Sequence, residues 1–304
     1  MEAQNVAQEN GSRSAPAGRA TDIVLQRSIT IDDVTIHLRA PDDVVDSVWI
    51  GQAEVHRLFT AAWLKMHERD RIMTPVTVGS TGCGKTTLAC AVARDFGRPV
   101  YLVNCTSDMR PEDLLITPVI ASQQQILYRA SGLVSAMVNG GICILDEANR
   151  MSEKSWASLA PLLDDRRYIE SIIAGVKIHA HPEFRIAATM NEDASTFNIP
   201  EYIESRLKPI IPVEFPGADD LRLIISYHVP YASERLVEQI VRYLMEQKEA
   251  GKIGSFSTRD AIQLTRYLYK SPDPAKVPLD TVVPLILKVH EKSLTKKVIS
   301  LLDL

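Results

Sequence analysis

The chain has 304 residues, of which 45% are hydrophobic, and its formal net charge is −4 at pH 7. This length allows two domains with a sizeable core. The acidic balance offers no overall attraction to nucleic acid. No apolar run reaches the roughly 18 residues of a membrane helix, and the N-terminus has no apolar signal-peptide core. We therefore expect a cytoplasmic protein without membrane insertion, for which nucleic acid is a disfavoured partner.

Cysteine and histidine usage predicts reduced thiols rather than a metal centre. The chain contains four cysteines and seven histidines, all scattered, and no pair has the spacing of metal ligands. Cysteines of this kind are typical of free thiols in a cytosolic protein.

The N-terminal part of the chain changes character twice. Residues 1–20 are small and polar and cannot bury enough surface to offset ordering entropy, so we expect them to be disordered. Residues 21–44 contain β-branched and apolar residues and predict a short β-rich extension. Residues 51–68 predict a helix, because their apolar residues fall on one helical face. That face comprises Val55, Leu58, Phe59, Ala62 and Met66.

Strand-like runs then alternate with helical patterns. The runs lie at residues 75–78, 99–104, 141–147, 184–191 and 208–215. Runs that are apolar almost throughout are typical of parallel strands buried on both faces. We therefore predict an α/β nucleotide-binding domain with a parallel sheet over residues 45–216. The remaining residues, 217–304, show helical spacing without a clear strand and predict a small, all-helical lid domain.

The most informative stretch is GSTGCGKT at residues 79–86, which matches the phosphate-loop pattern G-x-x-x-x-G-K-[ST]. Gly82 and Gly84 let the backbone approach phosphates, and the following helix adds partial positive charge at its N-terminus. Lys85 would reach the β- and γ-phosphates, and Thr86 would bind Mg²⁺. A chance match in a glycine-rich turn is the alternative, which the strand–loop–helix context disfavours. The predicted ATP-binding residues of this loop are Gly79, Ser80, Thr81, Gly82, Cys83, Gly84, Lys85, Thr86 and Thr87.

A second motif, ICILDE at residues 142–147, places two acids at the end of an apolar run. Asp146 would hold Mg²⁺ through water, and Glu147 would polarise the attacking water. Acidic strand ends are common, so it is the pairing with the phosphate loop that favours a catalytic role.

Together with downstream segments, these motifs resemble an AAA+ ATPase, most closely the MoxR group and its relatives NorQ, CbbQ and GvpN. The similarity covers roughly residues 45–270 and is carried by GSTGCGKT, ILDEANRMSEKSWASLAPLLDD, ATMNED and IPEYIESRLKP. DEANR is similar to the DEINR segment of MoxR proteins. The loop departs from the group at Ser80, Thr81 and Cys83, and ATMNED replaces ATQNP, but neither departure removes a catalytic functional group.

The resemblance implies roles for three further polar residues. Asn191 would be the sensor that orients the attacking water, although an ordinary strand-end Asn in a turn is the alternative. Arg206, in IESRLKP, would be an arginine finger that enters the neighbouring subunit's site. A surface salt bridge is its alternative. Arg259, in FSTRDAIQLTRYL, would be a second sensor on the helical domain.

The resemblance also implies a nucleoside contact and two hairpins. The run WIGQAEV would place Ile50 and Gly51 against adenine. Residues 114–129 and 168–180 are strand–turn–strand patterns, similar to hairpins near the ring pore of such ATPases. Ordinary surface hairpins are the alternative.

The motifs predict an ATPase that uses ATP and Mg²⁺, and the resemblance implies a homo-oligomeric, hexameric ring that remodels or activates a protein partner. The MoxR resemblance suggests a partner with a von Willebrand factor A domain. Two other functions stay open. An McrB-like or helicase-like nucleic-acid motor is disfavoured by the net charge. A nucleotide-gated scaffold with negligible turnover is disfavoured by the intact Glu147 and Arg206.

Overall fold

The computed structural model describes residues 25–121, 125–192, 199–250, 256–271, 277–279 and 283. The predicted disordered N-terminus and the last part of the predicted lid domain lie outside these residues. Within the described ranges, no helix is both long and apolar enough to cross a lipid bilayer.

The elements of the described residues are numbered in chain order. The strands are β1 (Ser28–Ile31), β2 (Val34–His37), β3 (Val76–Gly79), β4 (Val100–Asn104), β5 (Ile116–Ile120), β6 (Ile126–Ala130), β7 (Ile142–Asp146), β8 (Tyr168–Ser171), β9 (Val176–His179), β10 (Arg185–Asn191) and β11 (Ile210–Pro212). The helices are α1 (Ala53–Trp63), α2 (Lys85–Asp95), α3 (Pro111–Leu114), α4 (Gly132–Asn139), α5 (Glu153–Leu163), α6 (Glu201–Glu204), α7 (Ala218–His228), α8 (Glu234–Glu249) and α9 (Thr258–Tyr269). A 3₁₀ turn, Ala148–Arg150, follows β7.

A five-stranded parallel sheet forms the centre of the α/β part, in the order β11-β3-β10-β7-β4. All five predicted apolar runs are strands of this sheet, which confirms the predicted fold class. The carboxyl ends of β3, β7 and β10 lie side by side, because Gly79 pairs with Asn191 and Leu145 pairs with Ala188. Ligands of open parallel sheets bind at this edge.

The strands of the sheet are largely apolar because each face carries its own core. Ile142 and Ile144 of β7 pack with α1 and α2, in a cluster that includes Phe59. Cys143 and Leu145 point to the other face and belong to the cluster formed with α4 and α5. Alternate residues of one strand thus fill two cores, which is why the run shows no polar alternation.

A second sheet joins two segments that are distant in sequence. The hairpin β1–β2 and the hairpin β5–β6 form one four-stranded sheet in the order β1-β2-β6-β5. Ile36 of β2 is parallel to and paired with Tyr128 of β6, and Ile36 is fully buried. The predicted β-rich extension and the predicted strand–turn–strand pattern at residues 114–129 are therefore parts of one sheet, although the sequence indicated them as separate features.

The predicted strand–turn–strand pattern at residues 168–180 is also a hairpin. Strands β8 and β9 are antiparallel, with Ser171 paired to Val176. Gly175 in the connecting turn has a φ of +66°, a conformation that glycine adopts easily. Ile172 at this turn is 93% exposed, so the hairpin tip presents an apolar side chain outside the core.

Helix α1 is shorter than the predicted 51–68, and its apolar face differs from the expected one. The helix ends at Trp63, where Leu64 is extended. Phe59, Ala62 and Trp63 are buried, whereas Leu58 and Met66 are exposed. The Trp63 indole N–H donates to Ile186 O at 3.2 Å, so Trp63 anchors the helix to the sheet.

Helices α7, α8 and α9 pack on one another around a third apolar cluster. Leu236, Ile240, Val241 and Leu244 of α8 are buried in it, as the helical spacing predicted. Helix α9 begins with a capping box, in which the Ser257 hydroxyl accepts from Asp260 N at 3.2 Å. This cap fixes the start of α9, which lies against the phosphate loop.

Candidate active site

The phosphate loop leads from the end of β3 to the first turn of α2 in a conformation that requires glycine. Gly82 and Gly84 have φ values of +81° and +104°. A Cβ atom at Gly82 would lie 2.6 Å from the Ser257 hydroxyl, and one at Gly84 would lie 3.1 Å from the Trp49 ring. The loop is thus closely packed between α9 and the segment before α1, and its backbone lines the adjoining cavities.

Lys85 is 6% exposed and its ammonium is held by the loop itself. Its Nζ donates to Gly79 O at 3.0 Å and to Ser80 O at 2.7 Å. Cys83 Sγ lies 3.8 Å from the same nitrogen, and burial raises the pKa of this thiol. Because the ammonium is buried without a carboxylate among these partners, the position suits an anionic ligand.

Two hydroxyl groups converge on one carboxylate oxygen at the end of β7. Thr86 Oγ1 donates to Asp146 Oδ1 at 2.6 Å, and Thr189 Oγ1 donates to the same oxygen at 2.5 Å. Hydroxyl and carboxylate oxygens are ligands that Mg²⁺ prefers. Thr86 and Asp146 line one cavity together, so these residues fit a Mg²⁺ site at the predicted place.

Glu147 follows β7 in a left-handed conformation, with φ 54° and ψ 40°. Its backbone N–H donates to Thr189 Oγ1 at 3.0 Å. Asn191 Nδ2 donates to Glu147 Oε1 at 3.1 Å, and Arg150 Nε lies 2.6 Å from Glu147 Oε2. Non-glycine residues in such a conformation are typical of sites where the backbone is held by its surroundings.

Asn191 ends β10 and is 6% exposed. Its backbone is held by Asn149 of the 3₁₀ turn: Asn149 Nδ2 donates to Asn191 O at 2.7 Å, and Asn191 N donates to Asn149 Oδ1 at 3.4 Å. The turn after β7 therefore fixes the position from which the Asn191 amide reaches Glu147.

Two adjoining cavities share part of the phosphate loop. The polar one, of about 110 Å³, brings together most predicted site residues. The predicted site residues that line this cavity are Thr81, Gly82, Gly84, Lys85, Thr86, Thr87, Asp146, Glu147, Asn191 and Arg259. The second cavity, of about 310 Å³, is the more apolar of the two, because Trp49, Ile50 and Ile224 line it together with polar residues such as His228 and Arg266. A polar and an apolar cavity side by side match the two halves of a nucleotide.

Arg259 lies at the junction of the two cavities. It lines both of them, and its backbone N–H donates to Gly82 O at 3.3 Å. Because Arg259 is the second residue of α9, the helical region contributes directly to the cavity wall.

Ile50 and Gly51 have different surroundings. Ile50 lines the apolar cavity. Gly51 has a φ of +75°, and a Cβ atom there would lie 2.2 Å from Asp220 Cγ. The Asp220 carboxylate also accepts from Gln52 N at 3.1 Å. The close neighbour of Gly51 is thus a carboxylate of α7, and the glycine allows that close approach.

Arg206 lies apart from the two cavities, in a groove that it lines with Asp164 and Lys208. Its Nη2 lies 3.4 Å from Asp164 Oδ2, and its Nη1 donates to Tyr202 O. Asp164 also accepts from Arg166, and these hydrogen bonds, with a smaller contribution from Arg206, lower the pKa of Asp164 to about 2. The salt bridge considered as the alternative for Arg206 is therefore present within the single chain.

Sequence reasoning missed four residues that contact the site. Thr189, two positions before Asn191, shares its strand face, and a second polar residue in an apolar run was the available signal. Asn149 and Arg150 lie in DEANR, but their roles depend on the 3₁₀ turn. Trp49 precedes Ile50 and packs over Gly84, a contact that no spacing indicates.

Comparisons with known proteins agree with this geometry. Residues 76–207 match the family model of the AAA domain of the dynein-related subfamily. A Staphylococcus haemolyticus protein described as uncharacterized is 29% identical over 188 residues, covering 60% of this chain and 71% of that protein. A Staphylococcus aureus (strain USA300) protein, also described as uncharacterized, is 30% identical over 188 residues with the same shares.

Solved structures show the same fold at low sequence identity. Two variants of Thermotoga maritima RuvB are each 17% identical to this chain, with TM-scores of 0.52 and 0.51. The first alignment covers 87% of this chain and 74% of RuvB, and the second covers 79% and 68%. The family match spans β3 to the residue after Arg206, and the fold extends beyond it in both directions. The chain belongs to the AAA+ family of P-loop proteins.

Proposed function

We propose that this protein is a Mg²⁺-dependent ATPase that works as a MoxR-like hexameric ring and remodels or activates a protein partner. One observation carries the proposal. The Thr86–Asp146 contact of 2.6 Å and the Asn191–Glu147 contact of 3.1 Å line one cavity at the phosphate loop. A metal-binding pair and a held carboxylate beside a buried Lys85 are what hydrolysis of a triphosphate requires.

Binding of Mg-ATP is assigned to the phosphate loop and to the pair formed by Thr86 and Asp146. Lys85 would exchange its contacts with Gly79 O and Ser80 O for phosphate oxygens. Thr86 and Asp146 would hold Mg²⁺, directly or through water. When bound, Mg²⁺ supplies positive charge that offsets the charge of the phosphate oxygens. Ile50 would contact the adenine in the apolar cavity.

The chemical step is assigned to Glu147 and Asn191. Glu147 would accept a proton from a water molecule while Asn191 orients that water and the carboxylate. The water oxygen forms a bond to the γ-phosphorus, and the bond between that phosphorus and the β–γ bridging oxygen breaks. The products are ADP and phosphate, and the water proton is on the Glu147 carboxylate until it passes to solvent.

Arg206 and Arg259 are assigned to charge stabilisation from two directions. The separation of Arg206 from its own phosphate cavity supports a role as a finger for a neighbouring subunit. Such a finger contributes about 10³–10⁵ in rate. Arg259 would sense nucleotide from α9, and this role is supported by its place at the junction of both cavities.

The partner and the cell compartment are further parts of the proposal. A protein client, with a von Willebrand factor A domain as the suggested type, would contact the ring near the hairpins β5–β6 and β8–β9. The exposed apolar residues Ile120, Ile126 and Ile172 support such contacts. The four buried free thiols support a cytoplasmic location. We also propose domain boundaries at residues 45 and 217, supported by the separate apolar cluster of α7–α9.

Steady-state phosphate release tests this function. Wild type should hydrolyse ATP with Mg²⁺, and activity should stop when EDTA removes the metal. Glu147→Gln should retain ATP binding but lose about 10²–10⁴ in turnover, because it cannot accept the proton. DNA or RNA should not stimulate the reaction. Absence of turnover at every protein concentration would contradict the ATPase function and favour a nucleotide-gated scaffold. Salt-sensitive stimulation of turnover by DNA would favour a nucleic-acid motor.

A further inference from the structure

The 3₁₀ turn after β7 directs two neighbouring side chains to the site. Asn149 is 6% exposed and holds the backbone of Asn191 at both its N–H and its carbonyl oxygen. Arg150, the next residue, reaches back three positions to the Glu147 carboxylate. One short turn therefore restrains both residues to which the chemical step is assigned.

The two oxygens of the Glu147 carboxylate have different partners. Oε1 accepts a hydrogen bond from Asn191 Nδ2 at 3.1 Å. Oε2 forms an ion pair with Arg150 Nε at 2.6 Å, in which the N–H is not aligned as a hydrogen bond. A glutamate with a single partner could still rotate about its terminal bond. Contacts on both oxygens define the plane of the carboxylate.

Stability does not account for this ion pair. The Glu147 and Arg150 side chains are 39% and 40% exposed. Ion pairs at such exposure contribute only about 0–1 kcal/mol to stability. The pair also lies beside the left-handed backbone at Glu147, which already costs free energy. Its contribution to folding stability is therefore small, which leaves the orientation of the carboxylate as the effect to test.

We propose that Arg150 is a positioning residue for Glu147, an inference that rests on the proposed ATPase function. Arg150 holds Oε2 while Asn191 holds Oε1, and the carboxylate keeps the orientation in which its outer lone pairs can meet a water molecule. Without Arg150, the side chain samples other rotamers. A misplacement of about 1 Å can cost about a hundredfold in rate.

The opposite role would be a brake, in which the ion pair withholds Glu147 from water. The direction of the change in kcat separates the two roles. Loss of a positioning contact lowers kcat, whereas loss of a brake raises it. Neither role involves the phosphate loop, so the affinity for ATP should stay the same in both cases.

The test compares Arg150→Gln and Arg150→Lys with Arg57→Gln. Arg57 forms a similar ion pair with Glu54, three positions earlier on the surface of α1, and serves as a matched control. We expect kcat to fall about ten- to a hundredfold in Arg150→Gln, with an unchanged dissociation constant for ATP and an unchanged unfolding temperature. The kcat of Arg150→Lys should fall less, because this variant keeps a cation but loses the planar guanidinium. Arg57→Gln should match wild type.

Two further measurements separate positioning from other causes. In a Glu147→Gln background, adding Arg150→Gln should lower the residual turnover no further, because both changes act through one group. Crystals of nucleotide-free Arg150→Gln should show the Glu147 carboxylate moved from Asn191. An unchanged or raised kcat, or an unmoved carboxylate, overturns the proposal. An inactive wild type would overturn the ATPase function, while the crystal comparison would still decide whether Arg150 orients Glu147.

Discussion

The phosphate cavity and the groove around Arg206 both contain charged side chains, and they differ in how these charged groups are partnered. In the cavity, Asp146 and Glu147 accept hydrogen bonds from residues of β10, so the sheet register brings them together. In the groove, Arg206 lies against Asp164, whose carboxylate is also bound by Arg166. Among the residues that the structure describes as lining this groove, none belongs to the phosphate loop.

A single chain assembles the phosphate cavity. We propose that the arginine of a second chain completes the active site. A cavity whose acids, hydroxyls and ammonium converge can bind a ligand without further partners. An arginine that lies outside this cavity is placed to stabilise a developing charge on a neighbouring molecule, as we propose. The predictions for Arg206, Lys85 and Asp164 each change one side of this comparison and leave the other side intact, whereas the prediction for Gly51 changes the segment before α1.

The largest expected effect is on the groove side. Arg206→Ala should lower kcat about a thousandfold or more, because an arginine finger acts on the charge of the transition state. The dissociation constant for ATP should change little. Phosphate release and ATP titration measure the two quantities. Arg71→Ala is the control, since Arg71 lines the same groove and pairs with Asp165. A tenfold loss of ATP affinity in Arg206→Ala would place the arginine in its own subunit's cavity.

On the cavity side, Lys85→Ala should weaken ATP binding by about a hundredfold or more. Hydrogen bonds to charged groups contribute about 1.5–3 kcal/mol each, and the ammonium can make two of them with phosphate oxygens. Titration with a fluorescent ATP analogue measures the loss. Lys177→Ala removes an exposed lysine from β9 and should bind like wild type. Equal affinity in Lys85→Ala and wild type would contradict the phosphate contact.

A smaller effect is expected where α7 meets the segment before α1. Gly51→Ala should lower the free energy of unfolding by about 1–3 kcal/mol, because an alanine at φ +75° is strained and crowds Asp220. Gly217→Ala is the matched control, since its φ is −70° and a Cβ atom there meets nothing within 4 Å. Denaturant titration compares the two variants. Equal stability of the two would show that the Gly51 conformation carries no cost.

The smallest effect is a pH dependence in the groove. Arg166 and, less strongly, Arg206 lower the pKa of Asp164 from 3.8 to about 2. The carboxylate therefore stabilises the fold fully above about pH 4, and this contribution is lost as the pH falls through 2. The stability difference between wild type and Asp164→Asn should be constant from pH 7 to 5 and should shrink between pH 4 and 2. A difference that is the same at pH 5 and pH 2.5 would contradict this coupling.

The sequence predicted the parallel sheet well because its strands are buried on both faces. The run ICILDE needed no tertiary information, since apolar residues on both faces and two terminal acids define a buried strand. The phosphate loop was equally local, because its glycines and Lys85 act through the backbone of eight successive residues.

Other features depend on contacts between distant segments. The pairing of β2 with β6 joins residues about ninety positions apart, and no periodicity indicates it. The Glu147–Arg150 ion pair lies across a left-handed residue and a 3₁₀ turn, which no local pattern indicates. Leu58 and Met66 fitted the predicted helical face, but the helix ends at Trp63 and neither side chain is buried. Helical spacing predicts which residues share a face, but which of them are buried depends on the element that packs against that face.

The central claim is that Lys85 and Arg206 act on the same ATP molecule from different subunits. Mixing Lys85→Ala with Arg206→Ala tests it most directly, because each variant keeps the part that the other lacks. Activity per subunit of wild type should first be shown to rise with protein concentration. The account predicts that the two inactive variants recover part of the wild-type turnover when mixed rings form, at interfaces that pair an intact phosphate loop with an intact Arg206. No recovery in rings shown to contain both variants would contradict the account.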